Sequence, residues 1–216
     1  SSSCYGVSST LPTEESSIID PQYPYALSKY LGELCVSHWN SVYKLPTAAI
    51  RIFNAYGPRS ATKGAYGAMF GVFLKQMLEK KPLTIVGDGS QSRDFIYVTE
   101  VAKAFRLVAE SESGLGPINL GKGKSDTILD IAKRISNNFL FIPDRPGEPK
   151  HTLADISKLI EVTNWHPTIG IDEGIDKLLN QAHLWQDAPL WDSVKIEEAT
   201  KEWFKYLGSN NDDGQH

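Results

Sequence analysis

Short apolar runs alternate with helical patterns along this 216-residue sequence, and that alternation predicts an α/β fold. Two observations carry the prediction. A helical pattern over residues 25–42 is followed by the strand-like run Thr47-Ala48-Ala49-Ile50-Arg51-Ile52-Phe53. Strands at 95–98 and at 118–120 are each followed in turn by a helical pattern. A third observation bounds the fold. The chain opens on Ser1-Ser2-Ser3-Cys4-Tyr5-Gly6, with no strand before it, whereas a doubly wound sheet needs its first βαβ units. Those N-terminal units are therefore expected to be missing.

Each element has its own signal. Residues 7–24 are rich in Ser, Thr, Pro and Glu and read as a surface loop. Over 25–42, Leu27, Leu31, Leu34, Cys35 and His38/Trp39 recur at three- and four-residue spacing, the period of a helix. A second loop spans 57–66, and a helix over 69–80 ends on Lys80-Lys81, where the dipole favours cations. A strand over 83–86 runs into the turn Gly87-Asp88-Gly89, and 95–98 is a further strand. Thr99 is the expected cap of a helix reaching 112, and Asp126 of one ending near 136. Residues 138–142 read as a strand or short core segment. Helices are expected over 155–162, 172–187 and 195–207, with Asp155 and Ser157 capping the first, and 208–216 is a polar tail.

Composition narrows the function. Hydrophobic residues make up 41% and charged residues 22%, the balance of a globular chain and not a disordered one. A formal net charge of -4 gives no basic face for nucleic acid. Two cysteines make no disulfide framework, and no Cys/His spacing suggests a metal, so a reducing cytoplasm is the expected location. No apolar run approaches the ~20 residues of a membrane helix. The five tryptophans are read as core or interface residues.

Tyr25 and Lys29 fall one turn apart on one face of the predicted helix. A phenol is a poor base near neutrality, and an ammonium group nearby favours its ionised form, so the pair suits a general base and its electrostatic helper. The spacing alone equally fits an aromatic and a lysine on a solvated face. The context is more specific. Ser1-Ser2-Ser3-Cys4-Tyr5-Gly6 precedes Pro24-Tyr25-Ala26-Leu27-Ser28-Lys29. Then follow Arg51-Ile52-Phe53-Asn54-Ala55-Tyr56-Gly57-Pro58-Arg59 and Gly87-Asp88-Gly89-Ser90-Gln91-Ser92-Arg93-Asp94-Phe95-Ile96-Tyr97-Val98. Arg145-Pro146-Gly147-Glu148 and Ala154-Asp155-Ile156-Ser157-Lys158 close the series. In order and spacing this resembles the UDP-galactose 4-epimerase branch of the extended short-chain dehydrogenase/reductases, over nearly the whole chain.

The resemblance implies the C-terminal portion of a Rossmann-type fold with a small α+β substrate-binding lobe. Residues 1–65 would complete the NAD-binding domain, with 116–137 returning to it, and 66–216 would form mainly the nucleotide-sugar lobe. It implies that Tyr25 takes the proton of the sugar 4-hydroxyl, that Lys29 holds the nicotinamide ribose, and that Ser1 orients the 4-hydroxyl. Ser2 and Ser3 can be read simply as a polar strand end. Phe53 would line the cofactor site and Asn54 reach the substrate. Arg93 and Arg145 would grip the diphosphate, a task that suits the guanidinium fork. Glu148 would bind the uridine ribose, and Thr84 to Val86 would pass along the uracil. Thr152, a small residue near the sugar, implies room for an N-acetylated substrate. From the residues alone, Arg93 beside Asp94 also fits a surface ion pair, Arg145 a turn and Glu148 a solvated carboxylate. The stretch 114–123 imitates a phosphate loop, but Gly123 stands where Ser or Thr should bind magnesium, so a late strand followed by a helix is preferred.

The family begins with Gly-x-x-Gly-x-x-Gly after its first strand, where backbone amides hold the pyrophosphate. That motif is absent here, as is the ribose-binding acid, so the chain is expected not to hold NAD tightly and to be inactive alone. The implied reaction is NAD-dependent 4-epimerisation of a UDP-sugar. Relatives that dehydrate or decarboxylate the sugar carry acids where Ser2 and Ser3 stand; 4,6-dehydration and UDP-glucuronate decarboxylation remain alternatives. The implied partners are the nucleotide sugar and a second copy of the chain, with neither nucleic acid nor membrane. A non-catalytic remnant serving as a binding or dimerisation module is the alternative from another class.

Overall fold

The structure is a computed structural model, and it describes residues 1–60, 69–111 and 115–207. In chain order the elements are a 3-10 turn (Ser2–Tyr5), α1 (Pro24–Tyr43), β1 (Ala48–Ile52), β2 (Asn54–Tyr56), α2 (Met69–Leu78), β3 (Leu83–Val86), β4 (Ser92–Tyr97) and α3 (Val98–Glu110). Then come β5 (Gly116–Leu120), β6 (Ser125–Thr127), α4 (Ile128–Ile135), β7 (Phe139–Ile142), α5 (Ser157–Thr163), α6 (Ile171–Leu179), a second 3-10 turn (Ala182–Trp185) and α7 (Ser193–Leu207). The expected α/β class holds. The chain forms two compact units. The first comprises Ser1–Ala55, Ser92–Asp126 and Pro149–Ile171, and the second comprises Tyr56–Gln91, Thr127–Glu148 and the chain from Asp172 onward. Six segments therefore alternate between the two.

In the first unit, β1 and β5 pair in parallel, with Ile50 opposite Ile118, Arg51 opposite Asn119 and Ile52 opposite Leu120. Side chains on a strand alternate between faces. Ile118 and Leu120 thus join an apolar core with Ile96, Ala104, Val108 and Leu159, against which Ile50 and Ile52 pack. Burying each such side chain stabilises by about 1.5–3 kcal/mol. Arg51 and Asn119 point to the other face. A smaller cluster joins Cys4, Tyr5, Phe53 and Ala154. The loop at 7–24 is anchored where Thr13 bridges to Ala154. A three-stranded sheet has the order β2-β4-β6.

Helix α1 starts where Pro24 supplies the fixed φ of a first turn and ends at Lys44 in the left-handed region, φ 56°. Only its Ala26 is buried. Its apolar residues Leu27, Leu31, Leu34 and Trp39 are 45–51% exposed.

In the second unit, β3 and β7 pair in parallel from Leu83 opposite Phe139 to Val86 opposite Ile142. Phe70, Phe73 and Leu74 of α2 are buried, as are Ile131 and Ala132 of α4 and Ile175 and Leu178 of α6. Gly174 faces the Tyr56 hydroxyl so closely that a Cβ would overlap it.

Several expectations need correction. Thr99 does not cap α3. The cap position is Tyr97, which is extended at φ -72° and ψ 141°, and Thr99 lies inside the first turn. Asp126 does not cap α4. The Thr127 Oγ accepts from the Asp130 N–H at 3.1 Å and takes that place. The helix expected over 172–187 breaks after Leu179 and resumes as a 3-10 turn. Asp155 and Ser157 do not cap α5: the cap position is Ile156 and Ser157 is the first helical residue, its N–H donating to the Asp155 Oδ1 at 2.8 Å. Gly116–Leu120 is a strand, as preferred over a phosphate loop; Gly114 of that stretch, Glu112, residues 61–66 of the second loop and the tail 208–216 lie outside the described residues. Among the described residues no helix is long and apolar enough to cross a membrane.

Candidate active site

Tyr25 and Lys29 do share a face of α1. The Lys29 Nζ lies 5.2 Å from the centroid of the Tyr25 ring. Tyr25 is 51% exposed, and its ring stacks on Tyr23 at 6.4 Å between centroids. The phenol is therefore held at an open surface with a cation over it. The 3-10 turn packs against α1, and Ser1 caps it, its Oγ accepting from the Ser3 N–H at 3.4 Å and lying 2.9 Å from the Ser3 Oγ.

Phe53 is buried and packs at 6.4 Å, tilted, on Tyr5. Asn54 and Thr152 come together, the Thr152 hydroxyl reaching the Asn54 Oδ1 at 3.4 Å. The Arg93 Nη1 donates to the Ser92 carbonyl at 2.9 Å and the Lys150 carbonyl at 3.1 Å, and the Thr152 N–H donates to the same Ser92 carbonyl at 3.1 Å. These bonds lay the segment bearing Thr152 along β4. Asp94 makes no surface pair with Arg93. It is fully buried. Its Oδ1 accepts from the Lys122 N–H at 2.5 Å, and its Oδ2 from the N–H groups of Gly123 at 3.1 Å and Ala154 at 3.0 Å. Burial pushes its carboxyl up to about 6, against the opposing pull of those three amides.

The second unit holds the other four predicted residues. Arg145 and Glu148 pair with each other, Nη1 to Oε1 at 3.4 Å, with both side chains partly exposed. Thr84 is gripped by Gln76: its N–H donates to the Gln76 Oε1 at 3.1 Å, and its hydroxyl accepts from Nε2 at 2.9 Å. The Val86 carbonyl accepts from the Gln91 side chain at 2.7 Å.

The sequence reading missed a buried polar network in the first unit. The Arg51 Nε and Nη2 donate to the two carboxylate oxygens of Glu33 at 2.8 and 2.6 Å, and Nη1 donates to the Tyr5 hydroxyl at 2.7 Å and the Glu15 carbonyl at 2.9 Å. Tyr5 in turn donates to the Asn119 Oδ1 at 2.7 Å. Burial pushes the Tyr5 phenol up to about 12, although Arg51 works against it. The signal was available: a charge in the middle of an apolar strand must find a partner.

A cleft of about 660 Å³ in this unit is lined by Glu14, Glu15, Asp155 and Glu161 among others, and holds none of the predicted site residues; its acidity does not suit a diphosphate. Among the described residues no group of three or more His, Cys, Asp or Glu could hold a metal. The residues fit one end of an NAD. Lys29 and the open Tyr25 can meet a nicotinamide ribose, while no glycine-rich turn for the pyrophosphate occurs in the sequence.

A model of the NAD dependent epimerase/dehydratase family matches residues 1–121, more than half of the chain. A putative UDP-glucose 4-epimerase of Methanocaldococcus jannaschii is 36% identical over 182 residues, covering 82% of this chain and 58% of the relative. The solved UDP-N-acetylglucosamine 4-epimerase of Methanobrevibacter ruminantium, in complex with UDP-N-acetylmuramic acid, superposes with a TM-score of 0.76 at 37% identity, over 84% of this chain and 61% of its own. The UDP-glucuronic acid 4-epimerase of Bacillus cereus, solved with UDP-glucuronic acid and NAD, gives 0.76 at 33% identity, over 85% and 59%. The chain thus spans about three fifths of the length of the proteins it matches. With its parallel strand pairs and its Tyr25–Lys29 helix, this chain belongs to the NAD dependent epimerase/dehydratase family.

Proposed function

We propose that the chain is the C-terminal, substrate-side part of a nucleotide-sugar 4-epimerase acting on a UDP-sugar. The observation that carries this reading is the Tyr25–Lys29 pair, a phenol open to solvent with an ammonium group 5.2 Å from its ring. Tyr25 takes the proton of the sugar 4-hydroxyl and later returns it. Lys29, with its Nζ 5.2 Å from the Tyr25 ring centroid, binds the nicotinamide ribose. Ser1 orients the 4-hydroxyl, and Phe53 closes the cofactor side. Bound NAD supplies the reversible hydride transfer at C4. Arg93 and Arg145 are diphosphate ligands, Glu148 meets the uridine ribose, and the strand from Thr84 to Val86 passes the uracil. For Arg145 and Glu148 to reach the ligand, binding must loosen the pair they make with each other, which is partly solvated and so weak. The small Thr152 leaves room for an N-acetyl group. The serines at positions 2 and 3 offer no acid to eliminate water, which favours epimerisation over 4,6-dehydration. The enzyme acts as a homodimer in the cytoplasm, where Cys4 and Cys35 stay free.

Two measurements test this. Calorimetric titration of the chain should show binding of UDP and none of NAD; tight NAD binding would overturn the assignment of the missing half. Joined to an N-terminal NAD-binding half, the enzyme should interconvert UDP-galactose and UDP-glucose, and Tyr25→Phe should lower kcat by about 10²–10⁴-fold. Turnover unchanged by Tyr25→Phe would remove the central residue of the reading. Activity on UDP-glucose but never on UDP-N-acetylglucosamine would remove the role given to Thr152.

A further inference from the structure

Arg51 uses three guanidinium nitrogens on three separate segments. Nε and Nη2 hold the two oxygens of Glu33 on α1, while Nη1 reaches Tyr5 in the 3-10 turn and the carbonyl of Glu15 in the following loop. The side chains of Arg51 and Glu33 are 5% and 12% exposed. We propose that Arg51 and Glu33 are positioning residues for the reaction: a buried clasp that sets the rotation of α1, and with it Tyr25 and Lys29, against the turn that begins with Ser1. The proposal rests on the reading of Tyr25 as the base.

Four features support it. Glu33 follows Lys29 by four residues and Tyr25 by eight, so the three lie within about 80° of one another around the helix axis. A bidentate grip on Glu33 therefore limits turning of the face that carries the phenol. Tyr5 follows Ser1 by four residues within one tight turn, and its hydroxyl has both roles assigned: it accepts from Arg51 and donates to Asn119 at 2.7 Å. Arg51 and Asn119 are register partners on β1 and β5, so the clasp is anchored on paired strands and not on a loop. Finally, a buried ion pair is a poor device for stability alone, since apolar residues of similar volume commonly do as well or better. What the pair provides is direction.

The test separates holding from positioning. Arg51→Met by itself leaves the Glu33 carboxylate buried without its partner and will unfold part of the protein. The informative variant is the double one, Glu33→Leu with Arg51→Met, which removes both charges. In the chain itself it should melt near the wild type. Amide exchange at residues 1–6 and 24–33 should quicken about 10-fold, with α4 unchanged. In the enzyme joined to an NAD-binding half, kcat for UDP-galactose should fall about 10–100-fold with KM held within about twofold. Arg51→Lys, which keeps the charge but loses the fork, should recover only part of kcat. A double variant with wild-type kcat, or one whose exchange at those two segments does not change, overturns the proposal. Quickened exchange combined with a wild-type enzyme that does not epimerise leaves the clasp standing and removes the functional reading instead.

Discussion

Arg93 and Asp94 are neighbours in sequence, and adjacency suggests a pair. On β4 they cannot face each other, because successive side chains of a strand leave by opposite faces. Arg93 runs to the carbonyls of Ser92 and Lys150, and Asp94 turns inward to three amides. The same alternation sends Arg51 away from the apolar core that Ile50 and Ile52 join. The strand period was legible in the sequence; which face was polar was not, because the partners Glu33, Tyr5 and Asn119 lie far off in the chain. Two predictions belong here. The folded Asp94 carboxyl, raised to about 6, holds its proton more tightly than the unfolded chain does. Its contribution to stability is then fully present below pH of about 4 and is lost as the pH rises through about 6, on the order of 3 kcal/mol. Asp94→Asn should abolish that slope in thermal melts between pH 4 and 6, and should melt lower throughout because its amide NH₂ faces N–H donors. Gly121→Ala should cost about 1–3 kcal/mol in denaturant titration, since a Cβ there would lie 2.5 Å from the Asp94 Oδ2 and 2.7 Å from the Ala154 Cβ.

Helices and strands were legible as elements because their periods repeat over several residues; their ends were not. Asp126 and Thr127 are adjacent and both are good capping types, and periodicity does not choose between them. The backbone does: Thr127 is extended and its hydroxyl reaches the Asp130 N–H. Thr127→Ala should therefore destabilise by about 1 kcal/mol. An unchanged melting curve would mean that the Thr127 hydroxyl does not hold the helix start. Helix α1 is legible in a different way. Its apolar spacing promised a buried face, yet Leu27, Leu31, Leu34 and Trp39 remain 45–51% exposed. Contiguous exposed apolar residues of this kind mark association surfaces. With the proposed homodimer, Leu31→Glu should shift the sedimentation of the chain from dimer to monomer without lowering its helix content.

At the scale of the whole molecule, the sequence motifs led to the family but not to the way the chain is divided. Local patterns describe one segment at a time, and here each unit is assembled from three. The strand β5 enters the first unit from its second segment, and Ala154 and Leu159 enter from its third. A chain ending at Glu148 would keep β1 and β5 but lose the Ala154 amide on Asp94, the Ser92–His151 bridge and the core side chain of Leu159. Such a truncation should lose cooperative unfolding, with rapid amide exchange in β1 and β5; slow exchange there would mean that two segments suffice.

The alternation of six segments also constrains how this protein can be recombined. A single crossover between the genes of two relatives, wherever it falls inside the region, leaves at least one unit with segments from both parents. Exchanging one unit intact takes a junction at each of the boundaries where the chain changes units. Inherited variation in this region should therefore accumulate by point substitution within units and not by shuffling of cassettes.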